Sequence, residues 1–571
     1  MQYLLQFAVS HELFRCEEVD AILVRAGVDP ATAYDVGAAR KAFDLGSPFL
    51  ICDLPSEAVA RELSERAILV KRVLELWGTA PTVDQTVEAV KAFPEERLRP
   101  HLAEDRSWSV AVAGVRCKRS SEEQQEIRKH FAFLPLLGPV RCKEPDTALY
   151  CLEEFAAEGY FEEGRMPLRV YFGREVGQSN RRLVGARSLS TRAYLGPTSM
   201  DNELSLVMAN MVHAGPGTLI LDPFVGTGSI LVAAAQFGAV CVGTDIDPRP
   251  LHGRGDGANI FSNFDQFGLP HPDVVRSDNA LFAGHFKGGI VDGLFDGIVT
   301  DPPYGIRAGA RRTGSRRANV TPVRPEQRAD HVPMTRPYAV EDVLVDLLDV
   351  AARALRRGRR LCYLMPGTYE TCTRASLPGH PCLRLVAHSV QGLTKTTCRR
   401  LVTMVKVAEY DPAQRAAYEA HSRRGLTAAE VDPRAAVPDR PTEEWKQSLL
   451  RRGKLGGTSW VPAGDTAAAM AQAAAAAAAD AAAGGGEGDT AAAMAQAAAS
   501  ADAAAGGGGE GGSGALPAAA DAAGGGGGGE GGSGALNGAG DGAAALPPPP
   551  PQEESASADA ETNAAHAGVH Q

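Results

Sequence analysis

The stretch Leu219-Ile-Leu-Asp-Pro-Phe-Val-Gly-Thr-Gly-Ser229 carries a short apolar run into a carboxylate, a proline turn, two glycines and the start of an apolar helix. A strand that feeds a glycine turn and then a helix is the opening unit of an alternating α/β fold. A second apolar run follows and ends in Asp245, within Gly-Thr-Asp-Ile-Asp. Further strand candidates are 273–276, ending before Asp278, 297–300, ending before Asp301, 361–365, and 401–407 as the last strand. Helical patterns at 204–211, 229–237 and 340–355 interleave with them. The alternation predicts a parallel, doubly wound, Rossmann-like sheet over residues 204–410.

The preceding chain reads as α+β. Strand candidates are 2–9, 47–54, 108–117 and 168–172; helix candidates are 16–26, 56–76 with Ser56 as cap, and 121–131 with Ser120 or Ser121 as cap. These divide into a small unit at 1–60 and a second at 61–175, with a linker at 176–203. After the α/β region, residues 411–460 form a charged extension with room for one helix near 443–452. Residues 461–571 are nearly all Ala, Gly, Ser and Pro, and GDTAAAMAQAAA occurs twice there, at 464–475 and 488–499. Such repeats have no apolar face to stack, and glycine runs bury too little to offset chain entropy, so this tail is expected to be disordered.

The tail holds 13 of the 69 acidic residues and none of the 58 Lys and Arg, which leaves residues 1–460 near neutral at about +2 although the whole chain is at −11. No global field draws in a polyanion, so any nucleic-acid binding must come from local patches. The chain has no apolar run of the roughly 18 residues that a membrane span needs. Its N-terminus lacks a basic segment and a cleavage motif, and its ten cysteines form no C-x-x-C pair. The expectation is a reduced, cytoplasmic protein with no membrane segment and no structural zinc.

Gly226 and Gly228 let a ligand approach the backbone, and the helix that follows offers free N–H groups. An acid such as Asp245 at the next strand end accepts hydrogen bonds from ribose hydroxyls. A dinucleotide would call for G-x-G-x-x-G, and here Leu231 stands where the third glycine would be. Asp222 at the turn repels a pyrophosphate and attracts an ammonium or sulfonium, which favours S-adenosylmethionine. A dinucleotide and a purely structural glycine turn are the weaker readings. The second motif is Thr300-Asp-Pro-Pro-Tyr-Gly305. Pro302 and Pro303 stiffen the turn and remove two donors. The Asp301 carboxylate and the Pro302 carbonyl remain as acceptors for a planar exocyclic amine, with Tyr304 as a stacking face for its base.

Asp-Pro-Pro-Tyr after Asp-Pro-Phe-x-Gly-Thr-Gly resembles the amino-group methyltransferases. Arg192-Ala-Tyr-Leu-Gly-Pro-Thr-Ser-Met-Asp201, the segment 222–247 and Asp301-Pro-Pro-Tyr-Gly-Ile-Arg-Ala-Gly-Ala-Arg-Arg312 are similar to one branch, the eukaryotic tRNA guanosine-10 N2-methyltransferase catalytic subunits. So are Pro48-Phe-Leu-Ile51, Leu74-Glu-Leu-Trp-Gly78 and Phe133-Leu-Pro-Leu-Leu-Gly-Pro139. The resemblance covers roughly residues 1–410. It implies a ferredoxin-like piece and a THUMP module ahead of the catalytic domain, methyl transfer from S-adenosylmethionine to guanine N2 in tRNA, and a small zinc-binding activator subunit as partner. It also implies that Thr198 lies near the methionine end of the cofactor, that Asp222, Phe224, Gly226 and Gly228 form its first loop, that Asp245 holds the ribose and that Asp278 holds the adenine amine. A DNA adenine-N6 or rRNA amino-methyltransferase would use the same turn, and an RNA-binding scaffold with a relic pocket is the non-enzymatic alternative.

Two basic segments are candidates for RNA contact. One is Arg116, Lys118 and Arg119, with Arg128 and Lys129 on the helix that follows. The other opens with Arg307, Arg311 and Arg312, directly after the catalytic turn.

Overall fold

The structure is a computed structural model and describes residues 1–156, 166–196, 199–253, 257–285, 293–303, 309–314, 324, 326, 334–435 and 437–438. The tail at 461–571 and the helix expected near 443–452 lie outside the described residues.

The N-terminal part is built on one six-stranded sheet of β1 (Gln2–Phe7), β2 (Phe49–Asp53), β3 (Val70–Ala80), β4 (Trp108–Val115), β5 (Thr147–Glu154) and β6 (Arg169–Gln178), in the order β2-β1-β3-β6-β5-β4. Only β4 and β5 pair in parallel. The helix expected at 56–76 is shorter than the sequence pattern suggests. Ser56 caps it as foreseen, but it covers only Glu57–Arg66. Ala67 turns extended, and the buried run Ile68-Leu69-Val70 leads into the central strand β3. Three consecutive apolar residues suit a strand covered on both faces better than one stripe of a helix. The helix Glu57–Arg66 crosses residue 60, and β3 joins strands from both expected N-terminal units into a single sheet.

The C-terminal part is a seven-stranded sheet in the order β14-β15-β13-β10-β7-β8-β9. Its strands are β7 (Leu219–Asp222), β8 (Val240–Asp245), β9 (Asp273–Arg276), β10 (Phe295–Thr300), β13 (Leu355–Thr368), β14 (Leu383–Gly392) and β15 (Thr397–Lys406); a separate hairpin pairs β11 (Arg311–Thr313) with β12 (Thr335–Pro337). The sequence predicts a parallel sheet, but the sheet is mixed. β15 runs against both β13 and β14. The β14–β15 connection closes on itself through Leu393 N–H donating to Thr397 O at 3.0 Å, and a link this short makes a hairpin, not a crossover.

The chain proceeds outward from β7 through β8 to β9, then returns to place β10 on the other side of β7. That reversal creates a switch point at the carboxyl ends of β7 and β10, the place where open α/β sheets bind ligands. Helix Asn202–Met211, capped by Asp201, is buried along all its residues. It packs between the sheet and the N-terminal helix Arg15–Arg25, so one apolar core runs through both parts. Its Asn210 donates to Glu18 Oε1 at 2.9 Å. Glu18, fully buried, also accepts from the N–H groups of Ile68 and Leu69, both at 2.9 Å.

Candidate active site

Asp222 stands at the end of β7 and is buried. Its Oδ1 accepts the Thr300 hydroxyl at 2.6 Å and the Phe224 N–H at 3.0 Å. Burial pushes its carboxyl up to about 7; the two donors oppose that rise, and the carboxylates of Asp245 and Asp301 add to it. Across the turn, Asp245 ends β8 and accepts the Gly226 N–H at 3.0 Å and the Asp247 N–H at 2.9 Å. Burial raises the Asp245 carboxyl as well.

The two glycines have different roles. Gly226 has φ +49° and, among the described residues, nothing within 4 Å of where a side chain would stand, so that position is open. Gly228 has φ +78° and caps helix Ser229–Gln236, and a Cβ there would meet Ile260 Cγ1 at 2.7 Å. Gly228 serves the packing of Ile260, while Gly226 borders free volume.

Asp278 follows β9 and is buried, with both oxygens engaged. Oδ1 accepts the Ala280 N–H at 3.0 Å and Oδ2 accepts the Thr313 N–H at 2.6 Å. Thr198 lies outside the described residues; beside it, the Ser199 hydroxyl accepts the Gly196 N–H at 3.0 Å and stands 2.8 Å from the Thr227 hydroxyl. Of the turn expected to be catalytic, Asp301 and Pro303 are half-buried and Pro302 is buried, while Tyr304 and Arg307 lie outside the described residues.

Two site residues carried no distinguishing signal in the sequence. Thr300 reads as an ordinary strand-end residue, yet it is fully buried and ties the start of the Asp-Pro-Pro turn to Asp222. Asn279 donates to Pro223 O at 2.6 Å, and among the described residues its buried Oδ1 has no partner, which leaves an acceptor beside the Asp222 loop. Among the described residues, no group of three or more His, Cys, Asp or Glu could hold a metal ion, and no helix is long and apolar enough to cross a membrane.

The N-terminal basic cluster is largely engaged within the protein. Arg119 clamps Glu153 through two hydrogen bonds of 2.8 and 2.9 Å and reaches Glu123 at 3.0 Å. Arg116, at φ +68°, donates to Gly46 O and to Phe155 O. Arg128 donates to Val110 O and Lys129 pairs with Glu126. Of the three residues expected to meet RNA here, only Lys118 is exposed. The buried partner Glu153 is remote in sequence, so the run Arg116–Arg119 gave no sign of this commitment. In the second cluster, Arg311 is exposed and Arg312 lies over the Tyr338 ring at 5.3 Å.

The strand order, the acidic strand ends and the Asp-Pro-Pro turn define a Rossmann-like methyltransferase domain behind an N-terminal α+β module. Residues 1–181 match the Tmrp11 THUMP N-terminal domain family, and residues 190–248 match the RMKL-like methyltransferase domain family. The chain is 36% identical to the tRNA (guanine(10)-N(2))-methyltransferase TRMT11 of Rattus norvegicus over 72% of its own length and 88% of the relative's. It is 35% identical to the human protein of that name, over 72% and 89%. A crystal structure of TrmN from Thermus thermophilus aligns with 71% of this chain and 100% of that one, at 14% identity and a TM-score of 0.32. The chain belongs to the TRMT11 family of tRNA (guanine(10)-N(2))-methyltransferases.

Proposed function

We propose that this chain is a catalytic subunit that transfers a methyl group from S-adenosylmethionine to the exocyclic N2 amine of guanosine at position 10 of tRNA. The observation that carries this reading is the meeting of Asp222 and the Asp301-Pro-Pro turn at the β7–β10 switch point, joined by the Thr300 hydroxyl. The site fits the cofactor. Open space beside Gly226 admits an extended ligand, Asp245 and Asp278 stand at successive strand ends for ribose hydroxyls and an adenine amine, and the orphaned Asn279 Oδ1 can take one further donor. When bound, S-adenosylmethionine supplies a methyl group on a positively charged sulfur.

The chain's own residues do the rest by position. Asp222 in its ionised form balances the cofactor's positive charge. The Asp301 carboxylate and Pro302 carbonyl accept the two hydrogens of the guanine amine, hold it in plane and direct its lone pair. As the N2–methyl bond forms, the sulfur–methyl bond would break and leave neutral S-adenosylhomocysteine; the Asp301 carboxylate would hold the surplus proton of the methylated amine by hydrogen bond until it passes to water, and no covalent intermediate with the protein is needed. Tyr304 and Thr198 are assigned to base stacking and the methionine end from the family resemblance. Arg311 and Arg312, with Arg307, meet phosphates near the target.

The reading includes a small zinc-binding activator subunit. An edge strand with exposed Val275, followed by exposed Leu281, supports a docking partner at β9. The ten free cysteines support a reducing compartment such as the cytoplasm.

Nucleoside mass spectrometry on undermodified tRNA tests the reading, with and without the activator. N2-methylguanosine should form with the wild-type chain and not with Asp301→Ala, which should keep cofactor affinity within several-fold. Methylated adenine as the product, or wild-type turnover by Asp301→Ala, would overturn it.

A further inference from the structure

The β11–β12 hairpin stands on residues of the cofactor side. Thr313 N–H donates to Asp278 Oδ2 at 2.6 Å. Ala310 and Tyr338 flank the hairpin and pack with Val343 against Phe224 and Ala280. The Tyr338 N–H closes onto Ala310 O at 3.0 Å, and its hydroxyl donates to Asp346 on helix Val340–Ala354. Two of the residues assigned to the cofactor, Phe224 and Asp278, are thus the footing of the basic segment assigned to RNA.

The hairpin's charge pattern points to an anion. Arg312 stands directly opposite Arg336 in the antiparallel register. Like charges facing each other across two strands are destabilising unless something neutralises them. Arg311 is exposed beside them, its guanidinium oriented by Thr335 Oγ1 at 2.5 Å and Thr335 O at 3.1 Å. Among the described residues, Arg311 is held by Thr335 and Arg312 by the face of the Tyr338 ring at 5.3 Å, and no carboxylate forms an ion pair with either or with Arg336. Arg312 Nε is buried and has no partner among the described residues. A phosphodiester lying between Arg312 and Arg336 would relieve the repulsion, and it would do so only while the two strands stay paired.

We propose that the β11–β12 hairpin couples the two substrates, so that RNA phosphate held on its arginines fixes the Asp278 carboxylate through Thr313 N–H and tightens cofactor binding. The proposal rests on the reading of Asp278 and the hairpin given above. The mechanism is differential affinity. With the hairpin docked, Ala280 N–H and Thr313 N–H hold the two oxygens of Asp278 and aim a remaining lone pair at the adenine site. With it undocked, that carboxylate must be reordered at a cost in cofactor binding. RNA that prefers the paired, docked hairpin shifts the population toward the binding-competent state. Linkage then requires the cofactor to tighten RNA by the same factor.

The test is calorimetry on the full chain with S-adenosylhomocysteine, with and without saturating tRNA transcript. Coupling predicts an affinity gain of about 5-fold or more with tRNA present, and an equal gain for tRNA with the nucleoside present. Thr313→Pro removes the N–H and should abolish the gain, while Thr313→Ala keeps the N–H and should retain it. Arg312→Gln combined with Arg336→Gln should weaken tRNA binding and shrink the gain even if the proline variant misfolds. Unchanged nucleoside affinity in a wild-type chain that does bind tRNA overturns the coupling and leaves the functional reading standing. Failure of the wild-type chain to bind tRNA at all overturns both.

Discussion

Burial shifts Asp222 toward its protonated form in the folded chain. Its carboxyl rises from an ordinary 3.8 to about 7, chiefly through burial. Between those values the native state binds one more proton than the unfolded state. The stability this group contributes is therefore complete below pH 3.8, falls as pH climbs through the window, and levels off above about 7. Asp222→Asn keeps the shape without the ionisation. Its melting temperature, measured without ligand, should exceed that of wild type at pH 8, and the difference should shrink toward pH 5. A difference independent of pH would show that burial is not the source. Thr300→Val removes a donor that favours the ionised form, so the fall should extend to higher pH, whereas Thr300→Ser should restore the wild-type curve. A cationic cofactor should expel this proton. Titrations below pH 7 in buffers of different ionisation enthalpy should therefore show net proton release.

At the level of elements, the turn between β7 and helix Ser229–Gln236 separates two demands that one motif seemed to share. A side chain at Gly228 has to adopt a left-handed conformation, costing roughly 1–2 kcal/mol, and must also displace Ile260. Overpacking of that kind costs roughly 1–3 kcal/mol more. Gly226→Ala has only the conformational cost, but its methyl enters the open space. Gly228→Ala should lower the melting temperature more, and Gly226→Ala should lose more cofactor affinity; the reverse order would discredit the division. Much of this domain was legible because each strand end carries its own punctuation, as at Asp222, Asp245, Asp278 and Asp301. The lone Thr300 hydroxyl was not, since its partner belongs to another strand. The N-terminal sheet was less legible. Its central strand β3 hides Glu75, whose charge is met by Arg97 and Arg174 from distant segments, so a polar residue fell where a buried strand shows none. The reversal of β15 depends on a hairpin that apolar periodicity does not register. β5, whose Glu153 and Glu154 are buried with Arg119 and Tyr171 as partners, was missed for the same reason as β3.

At the scale of the whole molecule, the N-terminal part is tied to the methyltransferase domain by a polar seam. Arg66 donates to Asn210 at 3.1 Å and to Ala214 O at 2.6 Å, and Arg181 pairs with Glu203 at 2.9 Å, all across the seam beside helix Asn202–Met211. A fragment starting near residue 185 would expose that helix and strand its buried polar groups, each at a cost of about 1–3 kcal/mol. Circular dichroism and melting should therefore show a molten or aggregated fragment that does not bind S-adenosylhomocysteine. Cooperative unfolding of the fragment would show the seam to be dispensable. The opposite outcome is expected at the other end. Residues 461–571 contain no Lys or Arg to meet phosphate and no apolar periodicity to join a core. They contribute all of the excess negative charge, so removing them changes the chain from −11 to about +2. That change acts on RNA only through long-range repulsion, which is screened beyond about 8 Å at physiological salt. Deleting 461–571 should leave kcat/KM for tRNA methylation within about two-fold at 0.15 M salt, and should tighten tRNA binding slightly at low salt, where the Debye length grows. Salt titrations of the two chains should converge as ionic strength rises. A ten-fold loss of methylation on deletion would mean that the tail makes a specific contact its composition does not disclose.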